Sequence, residues 1–348
     1  MADSDAPIGP APAARWSRRM IIGLGLAAPT LTMPWLAGCT PSDPTVDSPT
    51  LAPSTPSSAA PSSPPASPSP TPAPSSPSAG AAAPEQALAA LAAAILAGPN
   101  RKQLSKDRRQ LLTFLRSAHT AHAHAITNPL PTPAPVKIGG MSLNSSLALL
   151  ARREASAAGR YRNAALKANG SDALLWGSLS LAARSFAAAI GSANPPATRR
   201  VADQKPVEVL SEAAAVQELV RQLHAIVYGY QLAIGKLKVF SKQRLKAERE
   251  LLAQRIFRDR LIAWLKKHSA DVPAAAAAYV PSVVPRNAAT AGKLIMRMQT
   301  ALQPFCGLWL AAAATPADRQ QALTALSNAM KTARSWGAPL GAWPGWSS

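Results

Sequence analysis

After Pro84 the chain carries apolar residues at helical spacing and keeps that spacing to its end, with no run of alternating Val, Ile and Thr that would make a strand. The pattern predicts eight helices in two groups of four. The first group spans residues 85–192. Glu85–Ala97 stops at Gly98-Pro99, and Arg101–Thr127 stops at Asn128-Pro129. A proline-rich crossover from Pro129 to Gly140 leads to Ser142–Ala168, and the last helix runs from Ser171-Asp172 to Ile190. Residues 193–205 read as a linker.

The second group spans residues 206–348. Its first helix shows Val209, Val216, Leu219, Val220, Leu223, Ile226, Val227, Tyr230 and Ile234 on one stripe. Ser241 caps a second helix to His268, whose inward face is expected to hold Leu245, Leu252, Ile256, Asp259 and Ala263. Asn287–Ala314 is the third helix. Thr315-Pro316 opens the fourth, which closes at Trp336-Gly337. The expected fold class is all-α: two up-and-down four-helix bundles.

Composition changes the picture before residue 85. Of the 45 residues from Thr40 to Pro84, 40 are Pro, Ser, Ala or Thr, so residues 39–84 are expected to be a disordered linker that cannot bury a core. The first 38 residues combine a basic stretch ending in Arg18-Arg19, a short apolar run and small residues before Cys39. That order is expected of a secretory signal peptide. Leu36-Ala37-Gly38-Cys39 resembles the lipobox of bacterial lipoproteins, and the resemblance implies a diacylglyceryl lipid on Cys39. Ser17-Arg18-Arg19 resembles the twin-arginine export signal. The expected location is the extracytoplasmic face of the cell membrane, held there by the lipid.

Charge adds a partner class. Lys and Arg number 37 against 17 Asp and Glu, and the whole of the excess lies after Pro84. Residues 236–267 alone carry eleven basic and three acidic side chains. A ridge through Lys242, Lys246 and Arg249 is the expected binding surface for anionic phospholipid or wall polymer. Nucleic acid is disfavoured by export and by the lack of interleaved aromatics. The protein partner stays open.

Several segments of the second group carry a resemblance. His224-Ala225-Ile226-Val227-Tyr228-Gly229-Tyr230, Arg255-Ile256-Phe257-Arg258-Asp259, Tyr279-Val280-Pro281 and the closing Ala333-Arg334-Ser335-Trp336-Gly337 with Trp343-Pro344-Gly345 resemble the ferritin-like domain of unknown function found in actinobacterial lipoproteins. The resemblance implies that the second bundle is ferritin-like. Ferritin-like enzymes hold two metals with Glu and Glu-x-x-His sets. This chain has seven glutamates, none followed three residues later by His, and Leu223 and Gln254 stand where the family shows ligands. No catalytic residue and no cofactor beyond the lipid is expected. The remaining metal-ligand candidates are His119 and His122, one turn apart, with Glu154 on the following helix. Asp259 is expected to be buried in a polar clasp with Arg255 and Tyr228. Cys306 reads as a small buried hydrophobe. The expected function is a non-catalytic, membrane-anchored helical lipoprotein that scaffolds at the envelope through its basic surface. The alternative is a ferritin-like metal-binding protein or oxidase with a non-standard site.

Overall fold

The structure is a computed structural model that describes residues 79–127, 136, 138–202, 204 and 207–347. Arg18 and Arg19 of the expected export signal, Cys39 with its expected lipid and most of the expected linker lie outside the described residues. Eight α-helices follow one another: α1 Ala83–Ala97, α2 Lys106–Ile126, α3 Leu143–Lys167, α4 Gly170–Gly191, α5 Glu212–Ile234, α6 Lys242–Lys267, α7 Ala288–Ala312 and α8 Pro316–Ser335. No strand forms among the described residues; a single parallel bridge joins Thr198 and Leu340.

Helix starts follow local chemistry. Ser105, Ser142, Ser211 and Ser241 each accept a hydrogen bond from the backbone N–H three residues on, which satisfies an orphan donor of the first turn. Asn287 and Thr290 form a reciprocal capping box on α7. Pro84 and Pro316 occupy first-turn positions, where a missing N–H costs nothing. Three boundaries move from the sequence expectation. Helix α2 starts at Lys106 rather than Arg101, because Ser105 supplies its cap. The linker ends earlier than Pro84, because Ala79–Ala82 already forms a 3₁₀ turn and Ala82 is fully buried in the first core. The second bundle's first helix starts at Glu212 rather than near residue 206, because Ser211 supplies the cap.

Each group of four closes its own core. The first packs Leu88, Leu91, Leu115, Leu150, Leu179 and Phe186; the second packs Leu219, Leu223, Ile226, Leu294, Trp309 and Leu326. Helix directions are fixed by cross-contacts. The beginning of α2 lies at the end of α4 through Arg108, which donates to the Ile190 and Ser192 carbonyls. Asn100, just past α1, donates to the carbonyl of Met141, just before α3. In the second bundle Glu212 at the start of α5 accepts from Trp309 and Ala314 at the end of α7, and Lys246 early in α6 donates to the Ser335 carbonyl at the end of α8. Both bundles are therefore pairs of antiparallel hairpins. In each, alternation holds within a hairpin, and a long crossover between the second and third helices makes those two run the same way. One long crossover is the connectivity of ferritin-like bundles.

The two cores touch along α4 and α7. Gly177 sits against the Leu310 side chain with no room for a Cβ, so the helices approach closely there. Helix α4 has the length and mean hydropathy (1.4) of a membrane span, but 72% of that window is buried against its neighbours. It is accounted for as the central core helix. After α8 the chain turns at Gly337, whose φ of 94° suits glycine, and runs back over the first bundle. Leu340 exchanges backbone hydrogen bonds with Ala197 and Arg199, and Leu340 and Ala342 are buried in the first core.

Helix α6 is rotated relative to the sequence expectation. Its buried positions are Ala247, Leu261 and Leu265, whereas Leu245, Leu252 and Ile256 are 49%, 58% and 46% exposed, and Asp259 and Ala263 also face outward. Both stripes have helical spacing; the one carrying Leu251, Phe257 and Trp264 buries more ring and chain area, and that is the one that packs. The expected clasp therefore does not form. Asp259 pairs with its neighbour Arg258 at 2.8 Å in solvent, Arg255 is exposed, and Tyr228 lies against Tyr279 instead.

Candidate metal centre

Four ionisable side chains converge inside the first bundle: Glu85 from the first turn of α1, His119 and His122 from α2, and Glu154 from the middle of α3. Their exposures are 1%, 1%, 1% and 0%. His119 Nδ1 lies 2.7 Å from Glu85 Oε2, and its Nε2 lies 2.7 Å from Glu154 Oε1. His122 Nδ1 lies 2.9 Å from the same Glu85 oxygen, and its Nε2 lies 3.0 Å from the Ala342 carbonyl. Phe186 of α4 packs edge-on to His119 and parallel to His122, and Trp343 covers His122 at 4.5 Å between ring centroids.

Proton bookkeeping constrains this arrangement. A carbonyl only accepts, so His122 Nε2 must carry a hydrogen and donate to Ala342. With neutral imidazoles protonated at Nε2, both Nδ1 lone pairs point at a carboxylate oxygen. Three electron-rich atoms then face one another, and one ligand atom from each of Glu85, His119 and His122 lies within 4.8 Å of the other two. Only positive charge between them removes the repulsion. Two protons or one divalent cation each balance the two carboxylates.

The electrostatics agree with that demand. Burial alone would raise Glu85, but the charges of His119 and His122 outweigh it and hold the carboxyl well below its usual range. Burial alone would lower His119; Glu154 and Glu85 overcome it and push the imidazole up to about 10. Burial raises Glu154 despite His119 beside it. Tyr161, further along α3, is raised by its burial and by the Glu85 charge.

The residues fit a metal in two further ways. Each histidine has its distal nitrogen held by an acceptor, His119 by Glu154 and His122 by a main-chain carbonyl, which is the outer-shell arrangement that fixes a ligating imidazole's tautomer. Glu154 Oε2 is buried with no hydrogen-bond partner, and such an orphan is normally met by a water or an ion. The inner donors are thus Glu85 and the two Nδ1 atoms, with Glu154 and Tyr161 oxygens beside them. Imidazole and carboxylate together suit Zn²⁺, Fe²⁺ or Mn²⁺.

Sequence reasoning paired His119, His122 and Glu154, and the structure brings all three together. It missed Glu85, which looks like an ordinary first-turn acid on a helix dipole. His124 is exposed and takes no part. Of the expected anion ridge, Lys242 and Arg249 share an outward face with Leu245 and Leu252, but Lys246 does not. Its ammonium donates to the Ser335 carbonyl at 2.7 Å and sits 4.2 Å over the Trp336 ring, turned toward the end of α8. Cys306 is fully buried, and burial pushes its thiol up to about 12.

Residues 215–348 match the model of a family described as a domain of unknown function, DUF4439. A crystal structure of a conserved hypothetical protein, rv2844, from Mycobacterium tuberculosis is 27% identical and covers 37% of this chain and 97% of its own, with a TM-score of 0.35. No curated protein matches. The four converging side chains precede the matched segment, whereas Ala342 and Trp343, which close over them, belong to it.

Proposed function

We propose that this chain is an exported, lipid-anchored protein of the cell envelope whose first bundle holds one divalent transition-metal ion. One observation carries the metal reading: two histidines with locked distal nitrogens aim their Nδ1 atoms at one buried carboxylate oxygen. The ion would neutralise Glu85 and Glu154 in place of two protons. The arrangement is a one-metal counterpart of the ferritin-like centre, with Glu on α1, His-x-x-His on α2 and Glu on α3, while α4 supplies Phe186 in place of a fourth set of ligands. With every donor side chain buried, the ion has no open face for a substrate. The role is to hold the bundle and the tail together, not turnover.

Elemental analysis of the protein purified from its own host tests this directly. About one equivalent of Zn, Fe or Mn per chain is expected, lost in Glu85→Gln and in His122→Ala. A protein that carries no metal and develops no visible d–d bands on titration with Co²⁺ overturns the reading.

A second reading concerns the anchor side. The outward face of α6 joins Lys242 and Arg249 to exposed Leu245, Leu252 and Ile256, a basic and apolar combination that supports lying on an anionic bilayer beside the lipid. Substituting Leu252 and Ile256 with Glu should abolish sedimentation of the unlipidated chain with anionic vesicles; unchanged sedimentation removes this reading.

A further inference from the structure

The returning tail closes a cavity of about 110 Å³ between the connector after α4, the end of α8 and the final tryptophans. Its walls include Arg199, Arg200, Gln204, Arg334 and Trp346, and no aspartate or glutamate among the described residues. The three guanidinium groups have no hydrogen-bond or ion-pair partner among the described residues, although Arg334 is half buried. Two more donors in the same wall, Gln204 Nε2 and Trp346 Nε1, are buried with no acceptor. Such groups are normally satisfied, because an unmet buried donor forfeits its hydration. Here two buried donors and three guanidinium groups, that of Arg334 half buried, border one small space with no acid among the described residues to answer them.

We infer that this pocket binds a phosphate group, through Arg199, Arg200 and Arg334 with the Gln204 amide and the Trp346 indole completing its shell. A compact oxyanion with several acceptor oxygens suits planar guanidinium forks arriving from different elements. The pocket stands apart from the metal centre. Trp343 and Ala342 lie in the wall of both, so the tail that seals the Glu–His cluster also shapes the anion pocket.

The phosphate can be free or the headgroup of an anionic lipid, and the experiment separates the two. Full-length Cys39→Ser chain is titrated calorimetrically with inorganic phosphate, against chloride at matched ionic strength, and is sedimented with phosphatidic acid vesicles, against phosphatidylcholine. Saturable phosphate binding weakened about ten- to a hundredfold in Arg334→Gln supports a free phosphate ligand. Binding to the phosphatidic acid vesicles alone, lost in the same variant, supports the headgroup. Should Arg334→Gln fail to fold by circular dichroism, the Arg199→Gln/Arg200→Gln pair, both exposed, replaces it with the same expected loss. Absence of binding in both arms, or binding indifferent to these substitutions, overturns the inference.

Discussion

The two bundles share a connectivity and differ in what they bury at their centres. In the first, Glu85, His119, His122 and Glu154 meet out of contact with solvent, and Glu154 Oε2 is left unsatisfied. In the second, a half-buried Glu250 accepts from the Trp336 indole at 2.7 Å and from the Tyr230 hydroxyl at 3.1 Å, and Tyr230 in turn accepts from the Gln299 amide. A single half-buried carboxyl can be met by neutral donors. A cluster of four titratable groups cannot, and must take up protons or a cation. The fold therefore tolerates both a neutral polar clasp and a charged centre, and side-chain chemistry alone separates them.

Removing the shared imidazole should disturb this contrast most severely. His119→Ala leaves Glu85 and Glu154 buried without the ring that bridges them, so a loss of about 3–5 kcal/mol is expected in urea unfolding of metal-stripped protein. A loss under ~1 kcal/mol would show that the cluster is neutral without its histidine. Next comes the packing register of α6. Leu261→Ala should cost about 2–5 kcal/mol, and Leu252→Ala, on the exposed stripe, less than about 0.5 kcal/mol. Reversal of that order would restore the stripe expected from the sequence.

The tail links the two bundles, and Gly307 tests that link. A Cβ there would collide with the Gly345 backbone, so Gly307→Ala should cost about 1–3 kcal/mol and lift Ala342 and Trp343 from His122. Faster loss of metal to a chelator is the expected readout, and an unchanged rate would separate the tail from the centre.

Glu250→Gln should have the smallest effect, and it has a defined pH signature. Burial raises the Glu250 carboxyl above its ordinary value, against the pull of Trp336 and Lys246. Its contribution to stability is therefore present below the ordinary carboxyl range and is lost as pH rises through the raised value. The amide keeps both hydrogen bonds without the charge. At neutral pH the variant should melt at or above the native temperature, with the difference shrinking toward about pH 4, the ordinary range of a glutamate. A variant that melts lower at neutral pH would mean that the ionised form is the stabilising one.

Much of this architecture is readable from one chain because its signals act within a turn. Ser142, Ser241 and Asn287 cap where a short polar side chain precedes a periodic run, and Pro316 and Gly337 bracket α8 as expected. The His119–His122 pair is equally local, since one turn of helix places both on a face. The α6 face was not readable, because Lys, Arg and Leu alternate so evenly around that helix that two stripes compete. Glu85 was hidden because it follows a Pro/Ser/Ala tract and looks like a surface acid until α1 docks on α2.

Most helix spans, several of their caps, the crossover after α2 and the histidine pair were thus legible in the chain alone, because each is set by signals a few residues apart. Three features required the folded molecule: which face of α6 is inside, that Glu85 joins histidines 34 and 37 residues away, and that the Ala342 carbonyl, 220 residues from His122, orients its ring. Those choices depend on summed burial and on charges brought together from distant segments, and neither is encoded in any short stretch of chain.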